Sequence, residues 1–237
     1  SLRPDIRLVA VKSEEQQDIQ SIHRIRERVV RQRTVLINQT RGLLSEYGIT
    51  APQGIKHFRL LIGDSGQLRS LSPTMKHQLS LISDEFNQLS DRLDELNELI
   101  RQIASANPLT KLLKTIPGIG DIVATALVSA IGEGSQFNHA KELSVWLGLT
   151  PNQHASGEKS FNTSITKRGN SYLRKQLVHG ARAALTVFKK RNDDMLVWAR
   201  AVAVRRGKNK AAVALASRMA RLAWTLLQTR QPYQPNL

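Results

Sequence analysis

The sequence predicts a mainly α-helical protein, and three observations carry that reading. Apolar residues from Met75 to Ile103 recur in alternating steps of four and three without a break. Residues 112–132 pair two short helical patterns around a Pro-Gly-Ile-Gly turn. Only one short segment, at the very start, alternates like a strand. The expected order is a terminal strand whose sheet partners are missing, two long coiled-coil helices, and a compact helical domain containing a helix-hairpin-helix. The corresponding boundaries are 1–12, 13–107 and 108–237.

Ile6 to Val11 (IRLVAV) reads as the strand, followed by polar SEEQQD. A helix is expected over 14–47, with Ile19, Ile22, Val29, Leu36, Leu43 and Tyr47 on one side and Gly48 as its stop. Its other faces carry Arg24, Arg26, Arg28, Arg31, Arg33 and Arg41, either a solvated face or a phosphate-contacting one. Residues 48–72 are rich in Gly and Ser and interrupt the pattern. Ser72 and Pro73 supply a cap and a first-turn proline for a second helix over 73–106. Its seam (Met75, Leu79, Ile82, Phe86, Leu89, Leu93, Leu96, Ile100, Ile103) must bury against another helix. The partner is either the arginine helix in an antiparallel hairpin or the same element of a second subunit. Asn107-Pro108 ends it.

Shorter helices follow at about 109–115, 120–131, 139–147, 170–188, 193–206 and 208–229, the last strongly apolar on one side. The end, QTRQPYQPNL, reads as disordered. In LLKTIPGIGDIVATALVSAIG (112–132), Gly118 and Gly120 permit a tight turn and leave backbone N–H groups at a helix N-terminus. That pattern resembles a helix-hairpin-helix, which holds a nucleic-acid phosphate without reading sequence, with Lys111 and Lys114 placed to help. An αα-hairpin that only packs has the same signature.

Lys and Arg total 35 against 19 acids, a formal net charge of +16. Residues 150–237 hold 17 bases and 3 acids, so the excess belongs to the C-terminal third. Such a field attracts polyanions, with nucleic acid foremost, and its arginine content suits phosphate. There is no cysteine, hence no disulfide framework and no thiolate metal site. No apolar run approaches the roughly 20 residues that cross a bilayer.

The densest chemistry lies between Trp146 and Ala184. Ser156-Gly157 sits in a polar segment taken as a loop over 150–169. The basic turn Thr166-Lys167-Arg168-Gly169 and a helix bearing Arg174, Lys175 and Arg182 follow. A small nucleophile beside clustered cations is what chemistry on a phosphodiester requires. Lys159, Lys167, Arg168 and Arg174 are candidate phosphate contacts from charge and proximity. His154 stands two residues before the serine, either as its base or as a solvated loop histidine.

The ordered blocks GLTP, SGEK, TKRG, YLR and HGAR, after an IPGIG hairpin and a heptad helix, resemble the C-terminal region of the DEDD/serine transposases of bacterial insertion sequences, of the 110/1111 type. The opening RLVAVKSEEQQDIQSIHRIRERVVRQRTVLINQTRGLLSEYGI is similar to the junction after that family's RNase H-like domain. The resemblance implies an RNA-guided recombinase that joins DNA through a serine, which is Ser156 here, by way of a covalent phosphoserine. It implies DNA and a structured guide RNA as partners, a homo-oligomer, and a bacterial cytoplasmic, nucleoid-associated protein without a membrane anchor. It also implies Mg2+ bound by an Asp-Glu-Asp-Asp set in the RNase H-like domain. This chain begins at Ser1 and is read as starting after those acids. Asp5, Glu14, Glu15 and Asp18 lie at the wrong positions, so no residue here is assigned to metal. The chain by itself is therefore expected to bind nucleic acid without recombining it. A non-enzymatic nucleic-acid-binding module, or a decayed truncated transposase, would carry the same basic surface without the serine chemistry.

Overall fold

A computed structural model describes the backbone of residues 11–64, 66–156, 159–189 and 191–235, and their side chains except those of 154–162. The expected strand at Ile6 to Val11 lies, but for Val11, outside the described residues. The rest is mainly α-helical, as predicted, with one two-stranded sheet. Two compact units are present: residues 21–99, and residues 100–237 joined by the start of the first helix up to Gln20.

In the unit of residues 21–99, α1 (Glu14–Glu46) and α3 (Pro73–Ala106) supply the long helices. Ser72 accepts a hydrogen bond from the Met75 amide at 3.2 Å, as its capping role requires. Val29 of α1 packs with Leu93 and Leu96 of α3, Leu36 with Phe86, and Leu44 with Leu79. Those pairings run in opposite directions along the two helices, so the seam finds its partner antiparallel within the chain. The α1 stripe differs in one respect: Leu43 and Tyr47 are exposed and Leu44 is buried. The helical period of 3.6 places position 44, eight residues after Leu36, over the seam. Residues 48–72 are more than an interruption, because Ile55–Gly63 forms α2 and Gln67–Ser70 a 3-10 turn. Phe58 and Leu61 of α2 are buried, and the Phe58 ring lies 5.1 Å from that of Phe86.

The second unit is built on α9 (Lys208–Thr229). Its buried face is mostly small: Ala212, Ala216, Ala220 and Ala223 alternate with Leu215, Met219 and Leu227. Short side chains let several helices approach it closely. Against it pack α4 (Pro108–Leu113), α6 (Ala140–Trp146), α7 (Ser171–Val187) and α8 (Asp194–Arg206), while α5 (Asp121–Ile131) lies against α4 and α7. Asn107 caps α4, Asn170 caps α7 and Asp193 caps α8, each side chain accepting a backbone N–H. The first turns of α1 reach this unit too: Gln16 and Gln20 donate to the Val128 and Ser129 carbonyls at 3.3 and 2.6 Å.

The end of the chain, expected to be disordered, is tied down as far as it is described. Arg230 pairs with Glu133 at 2.6 Å. Tyr233 donates its hydroxyl to Asp193 at 2.9 Å and its amide to the Thr115 hydroxyl at 2.9 Å. Asp193 is fully buried, and burial together with this carboxylate pushes the Tyr233 phenol above its usual pKa. A buried carboxylate needs such donors, so the tail is held by a polar debt of the core rather than by its own hydrophobicity.

Candidate nucleic-acid interface

The serine segment begins where two backbones cross. Gly148, just after α6, and Gly169, just before α7, both have positive φ (67° and 82°). A Cβ on Gly148 would collide with the backbone of Arg168, and one on Gly169 with the carbonyl of Trp146. Only glycine allows that approach. Thr166 and Lys167 then donate their amides to the Thr150 and Gly148 carbonyls at 3.0 and 3.1 Å. One guanidinium nitrogen of Arg174 closes the joint on the Leu147 and Arg168 carbonyls, at 2.9 and 3.1 Å. These two glycines and their crossing were not singled out from sequence. Their signal was the pairing of a glycine with each flanking block, GLTP and TKRG.

From this joint rises a β-hairpin where a polar loop was expected. β1 (Pro151–Ser156) and β2 (Lys159–Ile165) run antiparallel, with Gln153 opposite Asn162 and Ser156 opposite Lys159. Ser156 is thus the last residue of β1 and Lys159 the first of β2. Gly157 and the side chains of His154, Ser156 and Lys159 lie outside the described residues. Lys167 and Arg168 are exposed on the returning arm, and Lys167 holds φ at 55°, a conformation a lysine rarely adopts. The structure therefore brings Lys167, Arg168 and Arg174 together at the root of the hairpin whose end carries Ser156 and Lys159. Arg174 differs from the other two in being half-buried and engaged with carbonyls.

The Pro-Gly-Ile-Gly turn divides its glycines between two tasks. Gly118 (φ 93°) faces inward: a Cβ there would lie 2.6 Å from the carbonyl of Gly180 on α7 and 3.0 Å from Met219. Gly120 is exposed with open space around it and stands at the N-cap of α5. Asp121 follows in the first turn and pairs with Lys114, so this helix start already faces a carboxylate of its own. Lys111 is exposed on α4.

The arginines of α1 are partly consumed inside their own unit. Arg26 donates to Asn97 at 2.7 Å and Arg33 to the Ser90 hydroxyl at 3.4 Å. Arg41 donates to the carbonyls of Ala51, at 2.6 Å, and Pro52. Arg24, Arg28 and Arg31 are exposed. Nearby His23 is buried, and desolvation followed by the charge of Arg26 lowers its pKa to about 4. Among the described residues no three of His, Cys, Asp and Glu converge, so they do not fit a Mg2+ site. No described helix is long and apolar enough to cross a membrane.

Comparison with known proteins gives a consistent result. The family model described as Transposase IS116/IS110/IS902 family matches residues 110–195. The chain is 38% identical over 234 residues to the transposase for insertion sequence element IS1111A of Coxiella burnetii, covering 98% of this chain and 64% of that protein. It is 36% identical over 236 residues to a probable family 20 transposase of Pseudomonas aeruginosa, covering 98% and 70%. A pilin gene-inverting protein of Moraxella bovis is 35% identical over 126 residues, covering 51% and 38%. The chain thus spans a little under two thirds of the first of these relatives.

Proposed function

The chain belongs to the IS116/IS110/IS902 transposase family, and from that premise we propose that it serves DNA transposition and recombination as the C-terminal part of an insertion-sequence transposase. Ser156 is the nucleophile in this reading. Its Oγ forms a bond to a DNA phosphorus as the phosphorus–oxygen bond to one sugar breaks. The serine proton is taken up by a base, and the departing sugar oxygen is protonated. The product is a phosphoserine joined to one DNA end, which the free hydroxyl of another end can resolve in turn.

The observation that carries the proposal is the hairpin joint. The crossing of Gly148 and Gly169 anchors a short two-stranded arm, with Lys167 and Arg168 at its root and Ser156, opposite Lys159, at its far end. A DNA backbone lying along the arm would meet Lys159 beside the serine and Lys167 and Arg168 at the root, and such cations hold it in place for attack. Lys159 and Gly120 are further phosphate contacts in this reading, and Gly118 supports the turn. A serine hydroxyl is a weak nucleophile near neutral pH and needs activation. Among the described residues no metal donor set converges. In this reading the chain binds DNA and a structured guide RNA, and several copies act together.

Ser156→Ala in a full-length transposase should abolish transposition and leave nucleic-acid affinity within about twofold, because a hydroxyl contributes little to backbone binding. Retained transposition by that variant would overturn the serine assignment and leave a binding module.

A further inference from the structure

Away from the hairpin, α7, α8 and the start of α9 enclose a cleft of about 610 Å³. Four cations line it: Arg182 from α7, Lys189 from the turn that follows α7, Arg200 from α8 and Lys208 from the first turn of α9. No carboxylate lines the cleft, and among the described residues none of the four is in an ion pair. Arg200 is held in place by the carbonyls of Phe188 and Arg191, at 3.1 and 2.9 Å. Arg182 reaches across to the Asn209 side chain at 3.3 Å, which fixes one wall to the other. Between the cations the lining is apolar, including Leu185 and Ala203.

Like charges on facing walls repel one another, and the arrangement costs stability unless an anion lies between them. Two features define that anion. The cations are spread over several residues along the cleft, which suits a chain of charges rather than a single ion. The intervening surface is apolar, which suits sugars and bases rather than a hydrated acidic peptide. A duplex is too wide to enter a cleft of about 610 Å³, whereas a single strand fits within it. A second groove, of about 550 Å³, shares Asn209 with the cleft. It runs past Lys210 and Trp198 to Thr163, Ser164 and Ile165 of β2, and is largely apolar. The two grooves thus meet at Asn209, and the second borders β2 of the serine hairpin.

We propose that the cleft of Arg182, Lys189, Arg200 and Lys208 holds the backbone of a single-stranded nucleic-acid segment that leads away from the Ser156 hairpin. This rests on the reading of the chain as a nucleic-acid-handling transposase part. Arg174 and Arg182 are eight residues apart on α7, about 12 Å at helical rise, so the cleft positions a strand away from the hairpin root. Arg182, Lys189 and Lys208 would be positioning residues for it.

The test uses the 237-residue chain and a labelled oligo-dT, with an equally long duplex as comparison, read by fluorescence anisotropy across a salt series. Lys189→Gln/Lys208→Gln removes two cations with no ion pair to lose, and Lys56→Gln/Lys141→Gln is the charge-matched control outside both grooves. The cleft variant should lose on the order of tenfold in single-strand affinity, and its log–log salt slope should fall by about 1.4. The control should move by no more than about twofold. A cleft variant that tracks the control overturns the cleft while leaving the nucleic-acid reading intact. A parent chain that prefers the duplex overturns the single-strand assignment. A parent chain that binds neither probe removes the underlying reading, and the cleft with it.

Discussion

The two units hold their positive charge in different ways. Residues 21–99 carry 11 bases and 9 acids, and residues 100–237 carry 21 bases and 6 acids. In the first unit Arg26, Arg33 and Arg41 each donate to an amide, hydroxyl or carbonyl oxygen of the same unit. In the second, Lys167 and Arg168 stand exposed at the hairpin root, and Lys189 and Lys208 of the cleft are exposed with no acid beside them, whereas Arg182 and Arg200 there donate to protein oxygens. An arginine whose fork is taken up by oxygens of its own unit acts as a bracing residue, with fewer donors left for phosphate. A cation with no internal acceptor is available to phosphate. Counting basic residues therefore overstates the first unit as a nucleic-acid surface.

The largest effect expected from breaking this contrast concerns Gly118, the inward glycine of the basic unit. Gly118→Ala adds a Cβ against the Gly180 backbone at positive φ, and should cost about 3–5 kcal/mol of unfolding free energy in urea titrations. Gly120→Ala meets open space and should stay within about 0.5 kcal/mol. Equal losses at the two sites would mean that the turn does not pack as described.

Next in size is the response of the arginine-rich unit to acid. His23 has its pKa lowered from 6.5 to about 4 in the folded protein. Below pH 6.5 the unfolded chain takes up the proton first, so stability falls as pH drops toward 4 and levels off beneath it. The loss should approach about 3 kcal/mol. Unfolding of wild type and His23→Leu measured across that range should show a steeper loss of stability in the former, the difference between them being the contribution of His23.

Smaller again is the tail. Tyr233→Phe leaves the buried Asp193 carboxylate without its hydroxyl donor and should cost about 1.5–3 kcal/mol. A change under a few tenths would indicate that residues 230–235 do not support the core. The smallest effect sharpens the comparison most. Arg41→Gln should lose about 1 kcal/mol of stability with nucleic-acid affinity unchanged, the opposite pattern to Lys189→Gln/Lys208→Gln.

Much of this architecture was legible in the sequence, and the exceptions share a cause. Helix α3 runs from Pro73 to Ala106 as expected, since a cap, a first-turn proline and a closing Asn-Pro are all local signals. Helix α2 was hidden because its Gly- and Ser-rich flanks outweigh a nine-residue apolar stretch. The hairpin was hidden because PNQHAS and KSFNTSI are polar strands held by pairing, not by an apolar face. The inward role of Gly118 depends on Gly180, 62 positions later, and the Gly148–Gly169 crossing on residues 21 apart. No periodicity reports such contacts. The basic blocks around Ser156 were visible, but the sequence could not say that Arg174 faces carbonyls, nor that Lys189 and Lys208 line one cleft.

The most direct test is chemical. A full-length transposase of this family, incubated with its DNA and guide RNA and then denatured, should retain a DNA end in covalent linkage. Peptide mapping by mass spectrometry should place the phosphate on Ser156. An adduct on another side chain, or full strand joining with no adduct at any time, would contradict the account.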